Sequence, residues 1–416
     1  MESFFTILFS VFLFTTLYFQ IFLLVTYFEH REVFTRRKGN MPASVRGVLP
    51  SVTIIVPCWN EEKTLAKTVT SLLDLTYPKE KLSVFIVDDG STDSTKRVVE
   101  EFLTHPQVRY FYKENGGKHT ALNEGLLYAT TDFVGCLDAD SFVSPDALLR
   151  IVSLFKDENV MAVTPSIKIY NPRSIIQKIQ ETEYTISIIF RKILATMNAQ
   201  YVAPGPFSIY RRSVFAKIGV FKHSHNTEDM EMALRMHAHT MKIENAFMAE
   251  VYTVGPKTLQ GVLKQRIRWT YGFMRNTLDY RGLLFRKRHG NVGTLSLPAA
   301  FISIFGVLYF TAYLLTNFIQ FLSDTVIRVG AVGFSTSSWE FKIQWFFINT
   351  EMITLVLYTS ALLFGVVFLL SIYHVRGRIN FSMGDFYFIL LYGFIVPLWM
   401  GQGVLKLLFR RPARWR

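Results

Sequence analysis

Four long apolar stretches constrain the fold of this chain more than any other feature. They cover residues 4–28, 295–322, 352–373 and 386–408. Because about 20 apolar residues in a helix can cross a hydrocarbon core of roughly 30 Å, each stretch is predicted to be a membrane segment. The chain then divides into an N-terminal transmembrane helix with a basic linker (1–50), a polar domain with interfacial helices (51–290) and a C-terminal transmembrane region (291–416).

The first stretch is predicted to be an uncleaved anchor. It is too long for the apolar core of a signal peptide, no base precedes it, and no small-residue cleavage site follows it.

Basic residues beside the apolar stretches predict their orientation. They follow the first stretch, precede the second and separate the third from the fourth: Arg31, Arg36, Arg37, Lys38, Arg286, Lys287, Arg288, Arg376 and Arg378. Because loops rich in Lys and Arg remain cytoplasmic, region 51–290 is predicted to be cytoplasmic. The basic tail at 410–416 conflicts with four simple crossings, which would leave it outside. Either the fourth stretch, interrupted by Pro397, is re-entrant or interfacial, or the tail is an exception.

Charge and cysteine content exclude several classes of protein. The chain has 45 Lys and Arg against 32 Asp and Glu, a net charge of +13. Many of these bases lie beside the apolar stretches, which favours a membrane surface and argues against nucleic acid. Cys58 and Cys136 are the only cysteines, so neither a disulfide framework nor a cysteine zinc site is supported.

The polar region alternates between strand and helix patterns. The segments "SVTIIVPCWN", "LSVFIVDDGS" and "DFVGCLDADS" are apolar runs of strand length, and each ends in polar residues. Strands that alternate with helices predict a mainly parallel sheet, whose ligand-binding groups lie at the carboxyl ends of the strands. The segments lack the glycine fingerprints of dinucleotide and P-loop sites.

Acidic residues follow two of these strands. Asp88 and Asp89 end one, and Asp138 and Asp140 end another. Residues two apart in a strand face the same side, so Asp138 and Asp140 can address one cation, and carboxylates suit Mg²⁺ or Mn²⁺. The alternative is that these acids only cap the following helices.

A cationic aromatic segment, "KQRIRWTYG", lies shortly before the second apolar stretch. On a helix, Gln265, Arg268 and Trp269 would share a face, with Arg266 pointing elsewhere. The planar guanidinium of Arg268 suits diphosphate oxygens, and an indole offers a flat surface to a sugar ring. The alternative is a basic amphipathic helix that rests on lipid headgroups.

The order of six motifs carries a resemblance to a known family. "VPCWNEE", "VDDGSTD", "ENGGKHTALNEGL", "CLDADS", "TEDMEM" and "QRIRW" resemble the motifs of membrane-bound processive family-2 glycosyltransferases, which include cellulose, chitin, hyaluronan and poly-N-acetylglucosamine synthases. "IQETEY" and "KQRIRW" are most similar to the last of these.

The resemblance implies a GT-A-like fold with a mixed, mainly parallel sheet, and an inverting, processive enzyme of a bacterial inner or plasma membrane. The enzyme would use a UDP-sugar, most simply UDP-N-acetylglucosamine, with Mg²⁺ or Mn²⁺. It would extend a β-linked polysaccharide and pass it across the membrane, and the family plan admits accessory membrane or export subunits.

The resemblance also implies roles for individual residues. Pro57, Asn60 and Glu61 would line the base, Asp89 would contact uracil and ribose, and Lys118 would help to hold the nucleotide. Asp138 would meet the nucleotide-sugar, Asp140 the metal, and Asp229 would be the general base. Gln265, Arg268 and Trp269 would close over UDP and the terminal acceptor sugar, with Gly205 and Glu228 on the acceptor side.

Three function classes remain open from the sequence. A polymer synthase is favoured by "QRIRW", whereas a transferase that decorates a lipid carrier would use the spans as an anchor. A non-enzymatic transporter or scaffold would leave the strand-end acids without a purpose, and the spans carry few ionisable groups for ion coupling. His223 and His225 form either a solvated loop or a second metal site.

The orientation can be tested with inserted reporters. A reporter at residue 45 is expected to be cytoplasmic and one at residue 335 external, because basic loops remain inside. Reporter activity and protease protection measure this, and the reversed pattern would overturn the cytoplasmic location of region 51–290.

Overall fold

The computed structural model describes residues 2–34, 49–333 and 352–410. The chain forms two compact units: a helical unit of residues 1–25 and 299–368, and a sheet unit of residues 26–298 and 369–416. The two reporter positions, 45 and 335, lie outside the described residues.

Strands of the sheet unit form one sheet of eight strands within the described ranges. They are β1 (Val52–Cys58), β2 (Leu82–Asp88), β3 (Val108–Tyr112), β4 (Phe133–Cys136), β5 (Ser141–Val143), β6 (Val160–Ile169), β7 (Ser208–Arg211) and β8 (Lys242–Thr253). Their order is β3-β2-β1-β4-β7-β6-β8-β5. The first four are parallel, β7 is antiparallel to β4 and β6, β8 is parallel to β6, and β5 is antiparallel to β8. The predicted mixed, mainly parallel sheet is confirmed.

Helices connect these strands and form the apolar segments. Their bounds are α1 (Glu2–Glu29), α2 (Arg31–Phe34), α3 (Leu65–Leu73), α4 (Thr95–Glu100), α5 (Lys118–Tyr128), α6 (Ala147–Val152), α7 (Ile175–Thr196), α8 (Arg212–Ile218), α9 (Glu228–Ala238), α10 (Leu259–Asp279), α11 (Leu297–Val332), α12 (Met352–Arg376) and α13 (Met383–Leu408).

Apolar residues on both faces of the central strands explain why the sheet is covered on two sides. Along β1 every residue is buried, and Ile54 and Ile55 face opposite layers. Ile54 belongs to the cluster that contains Leu65 of α3, and Ile55 to the cluster that contains Leu122 of α5. A strand buried on both faces is typical of parallel sheets. This arrangement brings the polar carboxyl ends of β1, β2 and β4 to one edge.

Helix α7 lies on the sheet. The structure packs α7 against β6, β8 and α13, with Ile179, Ile188 and Ile193 buried. A capping box between Ser174 and Gln177 fixes its start. One side of α7 therefore belongs to the core.

The described residues contain four helices that are long and apolar enough to cross a membrane. They cover Ile7–Glu29, Val292–Ala331, Thr354–Arg376 and Met383–Leu408, which agrees with the four predicted stretches. In the helical unit α1 packs on α11 through aromatic rings, with 4.8 Å between the ring centroids of Phe9 and Phe310. Gly306 allows this approach, since a Cβ there would come within 3.3 Å of the Phe12 ring.

Gly135 of β4 gives a test of the central packing. A Cβ at this position would lie 2.2 Å from Ile209 Cδ1 and 2.9 Å from Ile54 Cδ1. Gly135→Ala is therefore expected to lower stability by roughly 1–3 kcal/mol through overpacking. Gly282→Ala is the matched control, because a Cβ there meets nothing within 4 Å. Thermal unfolding of the protein in detergent compares them, and equal unfolding temperatures would contradict this packing.

Candidate active site

A cavity of about 580 Å³ opens at the carboxyl ends of β1, β2 and β4. The side chains on its walls come from loops that are far apart in sequence. They include Pro57, Trp59, Glu61, Asp89, Gly117, Lys118, His119, Asp138, Asp140, His223, Asn226 and Glu228. Most of the residues that the sequence singled out therefore meet in one place, as expected for loops at the carboxyl edge of a parallel sheet.

The two acids that end β2 have separate tasks. Asp88 accepts hydrogen bonds from the Ser91 backbone N–H at 2.8 Å and from the Tyr110 hydroxyl at 3.0 Å, so it is a structural group. Asp89 reaches the cavity wall, where it pairs with Lys113 at 2.7 Å and accepts from the backbone N–H of Gly117 at 2.8 Å. Asp89 therefore holds the glycine loop that begins α5. Asp88 bonds a turn residue and not the first turn of α4, which begins at Thr95, so it does not cap that helix.

Lys118 connects the two sides of the cavity. Its ammonium lies 2.6 Å from an Asp138 oxygen and 3.2 Å from a Glu228 oxygen. Burial lowers the pKa of Lys118, but Asp138 and then Glu228 outweigh it and raise that pKa above its ordinary value. Gly205 leaves room for this group, since a Cβ there would lie 2.8 Å from Lys118 Nζ. A positive charge is thus fixed between the strand-end acids and α9.

Asp140 is the candidate metal ligand. Burial, and next the neighbouring charge of Asp138, raise the pKa of Asp140 to about 6, and the Lys118 ammonium offsets only part of this rise. Among the described residues no group of three or more His, Cys, Asp or Glu side chains is placed to enclose a metal. In phosphate sites, Mg²⁺ is held by one or two carboxylates, and phosphate oxygens and water fill its remaining coordination positions. Asp138 and Asp140 therefore fit a divalent ion.

Glu228 and Asp229 begin α9, and their pKa values are shifted in opposite directions. Burial opposes ionisation of Glu228, but Lys118 lowers its pKa below the ordinary value. Burial, and next the Glu228 charge, raise the pKa of Asp229 to about 6. Two adjacent acids whose pKa values are driven apart are typical of a site where one group moves a proton.

A left-handed turn brings α10 to the cavity. Ser224, His225 and Asn226 have φ values of 38°, 57° and 61°. The Asn226 carbonyl accepts a hydrogen bond of 2.9 Å from Arg268, and Asn226 itself lines the cavity. The Oε1 atom of Gln265, on the same helix, is buried without a hydrogen-bond partner.

The two histidines of this segment do not converge on one metal. His223 lies against His119, with 5.1 Å between ring centroids, whereas His225 pairs with Asp279 at 2.9 Å. The second metal site that the sequence left open therefore has no support in this geometry.

Trp269 and Arg266 differ from expectation. The prediction that Arg266 points away from Trp269 is wrong, because its guanidinium carbon lies 4.2 Å from the centroid of the indole ring. Residues three apart on a helix share a face, which explains the contact. Arg266 is buried and pairs with Glu183 of α7 at 2.8 Å. Trp269 also packs on Tyr184 and the end of β6.

Residues 53–219 match the model of a family described as "Glycosyl transferase family 2". This part of the chain is therefore similar to family-2 glycosyltransferases. The resemblance to family-2 glycosyltransferases that the motifs indicated is thereby confirmed.

Two curated relatives extend this likeness beyond the domain match. The chain is 34% identical over 227 residues to the poly-beta-1,6-N-acetyl-D-glucosamine synthase of Staphylococcus aureus (strain COL), a match that covers 54% of this chain and 55% of the relative. It is 32% identical over 225 residues to the protein of the same name from Staphylococcus epidermidis, covering 53% and 54%. The chain spans about half the length of the curated relatives that it matches.

A solved structure supports the fold. The mannosyltransferase PcManGT from Pyrobaculum calidifontis, determined in complex with GDP-Man and Mn²⁺, superposes with a TM-score of 0.61 at 18% identity, over 97% of this chain and 99% of that one. The predicted GT-A-like glycosyltransferase fold is confirmed. At this identity the likeness concerns the fold alone.

Some predicted residues of the glycosyltransferase domain do not line the cavity. Asn60 has a φ of 55°, and its side chain accepts a hydrogen bond of 2.8 Å from the Thr92 backbone N–H, so it joins two loops. The residues that line the cavity also do not include Gly205, Asp229, Gln265, Arg268 and Trp269. Gly205 and Arg268 still affect the cavity wall. Gly205 leaves space for Lys118, and Arg268 donates a hydrogen bond to the Asn226 carbonyl.

The sequence did not indicate several residues of the sheet unit that contact the site or its supporting helices. Trp59 and His119 line the cavity, and Glu183 holds Arg266 from the neighbouring helix. Trp59 and His119 lie inside motifs that were recognised, so their neighbours could have indicated them. Nothing in the local pattern of α7 indicates a partner for Arg266.

Proposed function

We propose that this protein is an inverting, metal-dependent glycosyltransferase that extends a β-linked polysaccharide from a UDP-sugar, with UDP-N-acetylglucosamine as donor. The observation that carries the proposal is Lys118, which joins Asp138 on the strand side to Glu228, the neighbour of Asp229, at 2.6 and 3.2 Å. Donor and acceptor chemistry would thus occur beside one partly buried ammonium group. The two staphylococcal relatives support the choice of donor and product.

Asp140 and Asp138 would hold the divalent ion, which when bound neutralises charge on a diphosphate. Asp89 and the glycine loop that it fixes would bind the nucleoside. Lys118 and Arg268 would stabilise the leaving UDP, because cations fixed in a water-poor site need little reorganisation. Loss of Lys118 or Arg268 would therefore slow departure of the nucleotide.

Asp229 would act as the general base. A sugar hydroxyl is a poor nucleophile until a positioned carboxylate takes its proton during attack. The hydroxyl oxygen would bond to the anomeric carbon as the bond from that carbon to UDP breaks, and the proton would pass to Asp229. A single displacement inverts the anomeric carbon, so an α-linked donor gives a β-linked product.

The proposal can be tested in membranes that contain the protein. Mg²⁺ or Mn²⁺ is added together with one labelled donor at a time, and the product is analysed. The donors are UDP-N-acetylglucosamine, UDP-glucose, UDP-glucuronic acid and GDP-mannose, the last because the protein of similar fold binds GDP-Man. The expected product is a water-soluble polymer, made from UDP-N-acetylglucosamine and cut by β-specific glycosidases. Asp140→Asn is the blank, and it should also lose metal-dependent UDP binding while remaining folded.

Other outcomes separate the remaining classes. A short product that extracts into organic solvent would indicate transfer to a lipid carrier. If none of the donors gave a labelled product, glycosyl transfer by this chain alone would be contradicted. Vesicles that retain polymer inside or release it outside would show whether the product crosses the membrane.

The pH dependence tests the role of Asp229. Its pKa is raised to about 6, so below that pH the carboxyl is protonated and cannot accept the hydroxyl proton. Transfer should therefore fall by about tenfold per pH unit below 6 and level off above it. Asp229→Asn should lose on the order of 10²-fold or more and still bind UDP. Asp74→Asn, an exposed acid at the end of α3, is the control, and normal turnover of Asp229→Asn would move the base elsewhere.

Trp269 tests whether α10 holds the acceptor. Trp269→Ala should abolish or shorten the polymer, whereas UDP binding and slow donor hydrolysis persist, because water needs no sugar platform. Product size and UDP release, measured in the same membranes, report both effects. A headgroup anchor would give full-length polymer from Trp269→Ala and no change from Trp269→Phe, and that result would reject the acceptor role.

A further inference from the structure

We propose that α13 does not cross the membrane but lies in its plane, with its outer face in the lipid leaflet next to the glycosyltransferase domain. Length and composition alone make α13 a candidate span. Its contacts with α7 and α10 argue against a crossing, and they lie entirely within the sheet unit.

The first turn of α13 is fixed to the domain. Asp385 is fully buried, accepts a hydrogen bond of 2.8 Å from Thr182 of α7 and pairs with Arg376 at 2.6 Å. Gly384 permits the approach, since a Cβ there would lie 2.7 Å from the Lys178 carbonyl oxygen. The helix therefore begins in contact with α7.

The last turns of α13 are fixed to the same domain. A Cβ at Gly403 would lie 2.8 Å from Thr270 Cγ2, so only glycine lets α13 come this close to α10. Thr270 follows Trp269 directly in the chain. Between these ends, Phe388, Val396 and Trp399 are buried on the inner face.

The distance between the two fixed points excludes a simple crossing. Gly384 and Gly403 are separated by about 28 Å along a helix axis at 1.5 Å per residue. This separation is close to the thickness of a hydrocarbon core, which is roughly 30 Å. The sheet unit contacts the helix at both of these points. A crossing would carry α7 and α10 through the membrane as well.

The composition and packing of α7 and α10 prevent such a crossing. Lys178, Glu181 and Arg191 lie in α7, and Lys264 and Arg275 in α10, and charges of this number are costly in hydrocarbon. Helix α7 also packs on β6 and β8, and α10 bonds the cavity loop through Arg268. Both helices therefore remain with the domain outside the hydrocarbon core.

The outer face of α13 identifies lipid as its partner. Large apolar side chains at helical spacing are exposed there: Phe386, Ile389, Leu390, Phe394, Leu398, Leu405 and Leu408. Arg378 and Arg410 are exposed just before and just after the helix. An apolar stripe with basic ends matches acyl chains bordered by anionic headgroups. With α13 in the plane, Arg410, the first residue of the basic tail, lies on the side of the domain and obeys the charge rule.

Cysteine labelling tests the side on which α13 ends. The native Cys58 and Cys136 are buried, which keeps the background low. Ile379→Cys and Phe409→Cys should both react with an impermeant maleimide from the side of the glycosyltransferase domain, and Arg328→Cys near the end of α11 should react from the other side. All three positions are exposed in the structure. Reaction of Phe409→Cys from the same side as Arg328→Cys would overturn the proposal.

Depth measurements give a second, independent test that needs no activity. A bimane label on Phe386→Cys, Phe394→Cys or Leu405→Cys, in nanodiscs with anionic lipid, is quenched by lipids brominated at shallow or deep acyl positions. An in-plane helix predicts the same shallow depth for all three. A crossing helix predicts a deep Phe394→Cys between two shallow labels, and no quenching at any position would reject lipid as the partner.

Discussion

The two ion pairs that Lys118 makes with Asp138 and Glu228 are the interaction on which the site depends. Asp138 ends the strand side of the cavity and the buried Glu228 begins α9, and the ammonium pairs with both and lowers the pKa of Glu228 against the effect of burial. The close approach of Gly205 gives that cation its place. The ammonium also lowers the pKa of Asp229, against the larger effect of burial. One lysine therefore sets the charge on both sides of the proposed reaction.

The sequence predicted the parallel half of the sheet and its acids, because apolar runs and the polar residues that end them are local signals. It did not predict the antiparallel strand β7, whose partners β4 and β6 are set by long-range pairing. The pairing of Lys118 with Glu228 has the same cause, since no local pattern links residues so far apart. The wrong prediction for Arg266 has a local cause. Arg266 and Trp269 are three residues apart on α10, so their side chains share a face.

Helix α13 shows where hydropathy fails as a signal. A span and a helix in the membrane plane can have the same length and the same apolar content, and they differ only in what covers the inner face. Gly384 and Gly403 carry that information, because each removes a side chain where another helix lies close. With α13 in the membrane plane as proposed, its close approach to Thr270 would hold α10 at the membrane surface.

The most direct test of the account is the pH–rate profile of Lys118→Met in native membranes. The account predicts that turnover falls on the order of 10²-fold, as for the loss of one preorganised charge in other enzymes. It also predicts that the acid limb of the remaining activity moves to higher pH, because the cation that lowers the pKa of Asp229 is gone. Turnover near that of the unaltered protein, with an acid limb still near pH 6, would contradict it.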